Sequence, residues 1–354
     1  MPHWPDRRLL ELLQLESPII QAPMAGSDSL ALATAVASTG ALGSLACALL
    51  SPDAIREAVA KFRASSAGRI NLNFFCHTMT APDPSAMDRW KMLLQPHFDR
   101  WSLDIEAVPQ ARLRLPFDAD ACAALEESVP DVVSFHFGMP EAGLVDRLKR
   151  RGIKVLSSAT SVAEARWLEA RGCDAMIAQG SEAGGHRAMF LETTIATQIG
   201  LFALLPQVAD AVSVPVIAAG GIADARGVAA AFALGASGVQ IGTAYLKCPE
   251  ANVSPLYRQA LDQPHNTALT NLFSGRPARG IVNRYIEEAG PMNDAAPPFP
   301  HAATLVGPLR AASESVGSTD YMQMWAGQAA LLAPSMPAAE YTRKLVDDTL
   351  RLLR

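Results

Sequence analysis

The stretch PVIAAGGIADARGVAAAFALGASGVQIGT, residues 215–243, holds a complete strand, turn, helix and strand. PVIAAG (215–220) and GVQIGT (238–243) are short apolar runs of strand length, and between them Asp224 opens an alanine-rich segment that Gly235 closes. Asp before and Gly after such a segment are helix start and stop signals, and two strands joined through a helix make a parallel βαβ unit.

The same alternation extends outward from this unit. PIIQA (18–22), ALGSL (41–45), INLNFF (70–75), VVSFHF (132–137), KVLSSA (154–159) and DAMIAQ (174–179) bring the runs to eight. Strands covered on both faces read as continuous apolar runs, and eight βα units close into a barrel. The fold class is therefore α/β, a (β/α)8 TIM barrel, with an open doubly wound sheet as the weaker alternative. Helix entries support the count: Ser161 and Glu164 have capping-box spacing, Ser51-Pro52 precedes DAIREAVAKF, and Gly40, Gly152 and Gly172 stand at helix ends.

Two stretches exceed a minimal barrel. Residues 76–131 carry Pro82, Pro84, Pro96 and the helical pattern MDRWKMLLQPHF, and residues 246–335 carry TNLFSGRPARGIVNRY and PPFPH. Insertions of this size commonly cover a barrel's active-site mouth, so a lid or small helical subdomain is expected. The division is a barrel over 1–245 with 76–131 inserted, a lid over 246–335, and a terminal helix over 336–354. Leu345, Val346, Leu350 and Leu353 would dock that helix on the barrel.

Composition narrows the function classes. Hydrophobic residues at 49% and charged residues at 18% suit a compact enzyme. Net charge is −5 with no block of Lys or Arg, which argues against nucleic acid as a partner. The five cysteines are scattered without C-x-x-C spacing, so neither a disulfide framework nor a metal site is indicated and a reducing cytoplasm is expected. The N-terminus lacks the features of a signal peptide, and no apolar run approaches the ~20 residues of a membrane span.

The chemistry-bearing residues cluster after the strands. Gly220 and Gly221 follow the seventh run, and Gln240, Gly242 and Thr243 end the eighth, where barrel enzymes bind phosphate through backbone N–H groups. Gln179, Gly184, Gly185 and His186 follow the sixth run, with glycines that let the imidazole project into the mouth as acid, base or donor. His136 shares a strand face with Ser134 and Gly138 and is either a substrate contact or a core histidine. Asn71 and Asn73 alternate on the third run and address a ring edge or neighbouring backbone. Pro23, Met24 and Ala25 form a rigid turn that a flat ring can approach. Arg276 and Arg279 bind phosphate or a carboxylate, or make structural ion pairs in the lid, the reading preferred here. Tyr321, Trp325 and Gln328 have helical spacing and read as a packed helix face.

QAPMAG (21–26), NLNFFCH (71–77), SFHFG (134–138), QGSEAGGHR (179–187), IAAGGIAD (217–224), VQIGTAYL (239–246) and FSGRPARGIVNR (273–284) together resemble the nitronate monooxygenases, formerly 2-nitropropane dioxygenases. NFFCH, SFHFG and SGRPARGIVNR resemble the class I bacterial members in particular. The resemblance implies FMN at the top of the barrel, its phosphate on Gly220, Gly221, Gly242 and Thr243 and its ring on Pro23–Ala25. Asn73, Gln179, Gly184, Gly185 and Gln240 would line the cofactor, His186 would be the catalytic histidine, and His136 would assist it. It also implies oxidation of an alkyl nitronate such as propionate 3-nitronate by dioxygen, through one-electron transfer to the flavin, to a carbonyl compound and nitrite. The enzyme would work as a monomer or homodimer. Ala188 departs from the Gly that usually follows His-Arg and would stiffen that loop. The alternative is an NAD(P)H-dependent FMN reductase of a quinone or enoyl thioester, since related flavin barrels include such enzymes.

Overall fold

A computed structural model describes residues 3–81, 83–109 and 113–354; Pro82, singled out in the first insertion, lies outside them. The strands are β1 Ile19–Gln21, β2 Leu42–Ala46, β3 Arg69–Phe75, β4 Val132–His136, β5 Lys154–Ala159, β6 Ala175–Gln179, β7 Gly185–His186, β8 Val216–Ala219, β9 Gly238–Ile241, β10 Thr267–Thr270 and β11 Ala278–Ile281. Eight of them form a closed barrel in the order β1-β2-β3-β4-β5-β6-β8-β9. These are the eight runs expected from the sequence. Every barrel pairing is parallel, and β9 closes on β1 with Ile20 opposite Gln240. The strands are apolar because both faces are covered: all of β6 and β8 is buried.

β7 was not expected. The glycine-rich segment after β6 pairs antiparallel with β11, His186 opposite Ala278 and Gly185 opposite Arg279. β10, β11 and β7 thus make a second, three-stranded sheet, so the post-barrel stretch reaches back to fix the histidine's backbone.

The two insertions share one core. Trp90, Leu94 and Phe98 of the helix Pro84–Arg100 pack with Leu272, Phe273, Tyr285, Leu305, Leu309 and Tyr321 of the later stretch. Trp90 is fully buried and its indole N–H donates to the Ala302 carbonyl at 3.3 Å. Burial of large apolar side chains at ~1.5–3 kcal/mol each welds segments that lie far apart in sequence.

Tyr321, Trp325 and Gln328 do not lie on a helix, contrary to the spacing-based reading. The segment is extended because its backbone is engaged by three separate elements. Ile281 N–H donates to the Met324 carbonyl at 2.8 Å, Gly327 N–H to Thr243 Oγ1 at 2.9 Å, and Gln328 N–H to the Glu182 carbonyl at 3.0 Å. Period alone cannot separate such a strap from a helix face. The terminal helix Ala338–Leu352 forms as expected; Leu345 is buried in the main core, and Tyr341 Oη donates to the Ala223 carbonyl at 2.8 Å.

The capping box at Ser161 is half formed. Ser161 Oγ accepts from Glu164 N–H at 3.2 Å, as the spacing predicts. The Glu164 carboxylate, however, is fully buried and accepts from Thr160 N–H and Oγ1–H at 2.7 and 2.8 Å and from Phe190 and Leu191 N–H at 2.6 and 3.1 Å. A carboxylate removed from water needs several donors, and here two come from Thr160 and two from the loop beyond His186.

Candidate active site

The carboxyl ends of the barrel strands surround a cavity of about 340 Å³. Its walls include Pro23, Met24, Ala25, Asn73, His136, Gln179, Gly184, Gly185, His186, Gly220, Gly221, Gln240, Gly242 and Thr243 of the residues singled out from the sequence, but not Asn71, Arg276 or Arg279.

One end is backbone-lined. Gly220 and Gly221 have φ of 113° and 68°, left-handed conformations open to glycine, and a Cβ on Gly220 would lie 3.2 Å from the Gly180 carbonyl oxygen. Thr243 Oγ1 accepts from Gly327 N–H, which leaves its own proton to donate. Gly184 passes so close to the strap that a Cβ there would stand 2.6 Å from Gly327 N.

The turn Pro23–Ala25 is held by Asp28, whose Oδ2 accepts from Met24 N–H at 2.9 Å and from Ala46 N–H at 2.7 Å. One carboxylate thereby ties the ends of β1 and β2. Burial pushes its pKa up to about 6, against the opposing pull of those backbone donors.

His186 is held at three points. Its carbonyl accepts from Gln179 Nε2 at 3.0 Å and from His136 Nε2 at 3.1 Å, while Gln179 Oε1 accepts from Ala188 N–H at 2.8 Å. Arg187 is fully buried and donates to the carbonyls of Gln179 and Gly180. Ala188 is likewise buried, so the loop is fixed by side-chain bonds whatever residue follows Arg187.

The imidazole Nε2 lies 2.9 Å from Ser274 Oγ, and Ser274 Oγ lies 3.3 Å from the Arg276 carbonyl. A carbonyl only accepts, so the serine proton goes to Arg276 and Oγ accepts from His186. Nε2 therefore carries the hydrogen and Nδ1 a lone pair, with no partner for Nδ1 among the described residues. Burial first, then the charges of Arg114, His136, Arg276 and His77, holds the His186 pKa well below the ordinary histidine value. His136 and His77 are both pushed down to about 4, chiefly by burial. Phe75, Phe137, Phe299 and Trp325 surround the ring with centroids 5.5–6.2 Å from it. The result is a neutral base in an aromatic shell beside fixed positive charge.

Arg276 and Arg279 form no ion pair among the described residues, which corrects the preferred reading. Arg276 stacks on the Phe137 ring at 3.9 Å and donates to the Met189 carbonyl. Arg279 donates to the Ser181 carbonyl at 2.8 Å and to Thr267 Oγ1 at 3.1 Å. Carbonyls at a strand edge accept from guanidinium without needing a carboxylate. Asn73 spends its amide N–H on Ser134, at 3.0 Å from Oγ. Sequence reasoning left Arg114, Ser274 and the phenylalanines out of the site and read Trp325 as a packed helix face; Ser274, Phe75, Phe137 and Phe299 lie inside quoted segments, but only the fold brings them to His186.

Known proteins match the chain over nearly its whole length. The nitronate monooxygenase family model matches residues 6–348. A nitronate monooxygenase of Paraburkholderia phytofirmans is 42% identical, covering 96% of this chain and 94% of that protein. One from Pseudomonas aeruginosa is also 42% identical, covering 96% and 98%. Among solved structures, nitroalkane oxidase from Streptomyces ansochromogenes matches with a TM-score of 0.88 and 35% identity, covering 98% and 99%. FabK from Thermotoga maritima matches with a TM-score of 0.71 and 27% identity, covering 98% and 96%. With the match running nearly end to end, the chain belongs to the nitronate monooxygenase family of oxidoreductases.

Proposed function

We propose that the chain is an FMN-dependent enzyme that oxidises alkyl nitronates, propionate 3-nitronate among them, with dioxygen to a carbonyl compound and nitrite. The observation that carries this reading is the neutral, Nε2-protonated His186 set against guanidinium groups at a glycine-lined cavity. A flavin mononucleotide suits the residues present. Gln240 Oε1 is a buried acceptor on the cavity wall without a protein donor, and Gly220, Gly221 and Gly242 present backbone without side chains to the same cavity. Gly220, Gly221, Gly242 and Thr243 would hold the phosphate, Pro23–Ala25 would back the ring, and Asn73, Gln179, Gly184, Gly185 and Gln240 would line it. When bound, FMN supplies the one-electron acceptor that nitronate oxidation requires.

The protein's own residues do the rest. Fixed positive charge from Arg114 and Arg276 draws an anionic nitronate toward His186. Nδ1 of His186 accepts the α-proton when a neutral nitroalkane enters instead, and its depressed pKa keeps that lone pair free at neutral pH. His136 acts as a positioning residue through the His186 carbonyl. The aromatic shell excludes water, and the stretch 246–335, packed with the first insertion, serves as the lid. Purified enzyme supplied with propionate 3-nitronate in air should release nitrite as it consumes oxygen; oxygen uptake without nitrite would refute the assignment.

A further inference from the structure

Arg114 stands apart from the other cations of the site. It lines the cavity, burial alone lowers its pKa, and it has neither an ion-pair partner nor a side-chain acceptor among the described residues. The remaining cations are engaged: Arg276 on Met189 and Phe137, Arg187 on the β6 carbonyls, and Arg310 with Glu314 at 2.7 Å. Glu314 is the one carboxylate among the described cavity-lining residues, and Arg310 already holds it. Three neutral histidines and four aromatic rings offer a guanidinium no counter-charge. Burying a cation without an anion is costly, and a planar guanidinium matches a carboxylate with two parallel hydrogen bonds.

Position adds to this. Arg114 and His186 line the same cavity, so a ligand bound there lies between the guanidinium and the imidazole. Its segment is anchored where Phe117 N–H donates to the Phe75 carbonyl at 2.7 Å, at the rim of the same aromatic shell. A substrate with its nitronate at His186 and a second anionic group a few bonds away would meet Arg114.

We propose that Arg114 is a specificity-determining residue that binds the carboxylate of a carboxylate-bearing nitronate. The inference rests on the nitronate reading above and deepens it: Arg114 is the residue by which the site distinguishes a carboxylate-bearing nitronate from a simple alkyl nitronate.

The test compares propionate 3-nitronate with propyl 1-nitronate, which has the same carbon count and no carboxylate, in wild type, Arg114→Met and Arg114→Lys, each with its flavin content measured. A second arm titrates propionate, an unreactive carboxylate, against each protein and follows the flavin absorption band. The Met variant should lower kcat/KM for the carboxylate substrate about 100-fold more than for propyl 1-nitronate, mostly through KM. Lys should restore part of the ratio, and propionate binding should weaken in parallel. Equal losses on the two nitronates, or unchanged propionate binding, would overturn the proposal. If wild type turns over neither nitronate, the nitronate reading fails, and the propionate titration alone then decides whether Arg114 is a carboxylate site.

Discussion

His186 Nε2 and Ser274 Oγ lie 2.9 Å apart, although 88 residues separate them and they belong to different parts of the chain. The contact exists because β11 pairs with β7 and brings the SGRPARG segment against the histidine. It sets which imidazole nitrogen is free. Ser274→Ala should therefore leave the fold and flavin content intact and lower kcat/KM by roughly 10-fold through loss of the tautomer preference. A Ser274→Thr variant should recover most of the rate. The check is steady-state kinetics on both variants; an unchanged rate in the alanine variant removes the tautomer argument.

Replacing His186 by Asn keeps a polar side chain of similar reach and deletes the base. Flavin binding should persist, since the glycine-lined end of the cavity is untouched, while turnover of neutral nitroalkanes falls ~10²–10⁴-fold, the usual contribution of a positioned base. Turnover of preformed nitronates should fall less, because their α-proton is already gone. Equal losses on both substrate forms would mean that His186 acts on the nitronate itself.

Glu164 offers a stability test away from the chemistry. Its buried carboxylate accepts hydrogen bonds from Thr160, Phe190 and Leu191. Glu164→Ala should destabilise by about 3 kcal/mol, leaving several buried donors unmet, and thermal unfolding measures it. Glu164→Gln keeps two acceptor sites and should cost less. A melting temperature unchanged in the alanine variant would contradict the hydrogen-bond assignment.

Asp28 gives a pH dependence with a definite sign. Its folded pKa of about 6 exceeds the ordinary value, so its contribution to stability is full below the unfolded pKa and is lost as pH rises through about 6. Asp28→Asn keeps an acceptor for Met24 and Ala46 N–H without the charge. Relative to the Asn variant, wild type should therefore lose up to ~3 kcal/mol between pH 4 and pH 7, measured by denaturant titration at each pH. A gap that stays constant with pH would show that Asp28 does not titrate there.

The barrel was legible because each strand announces itself locally: eight apolar runs, punctuated by Asp224, Ser161 and glycines such as Gly235, need no long-range knowledge. Gly220, Gly221 and His186 were legible for the same reason, since strand ends fix what faces a barrel mouth. What escaped depended on contacts across the chain. Trp325 reads as a helix face until β11 and Thr243 pull its segment straight. Arg279 reads as an ion-pairing lid residue until the fold offers it carbonyls. Arg114 sits in a stretch without motif or period, and only the fold brings it to the cavity that His186 lines. Glu164 shows an intermediate case: its spacing from Ser161 marked a cap, while its larger task lies on the loop after His186.

The proposed function requires that a nitronate react with the bound flavin without a pyridine nucleotide. Anaerobic mixing of the purified, flavin-loaded protein with propionate 3-nitronate, and separately with NADH, tests it by the flavin absorption spectrum. A rapid spectral change is expected with the nitronate alone and none with NADH. Bleaching by NADH, with no response to the nitronate, would contradict it and assign the site to a pyridine-nucleotide-dependent reductase.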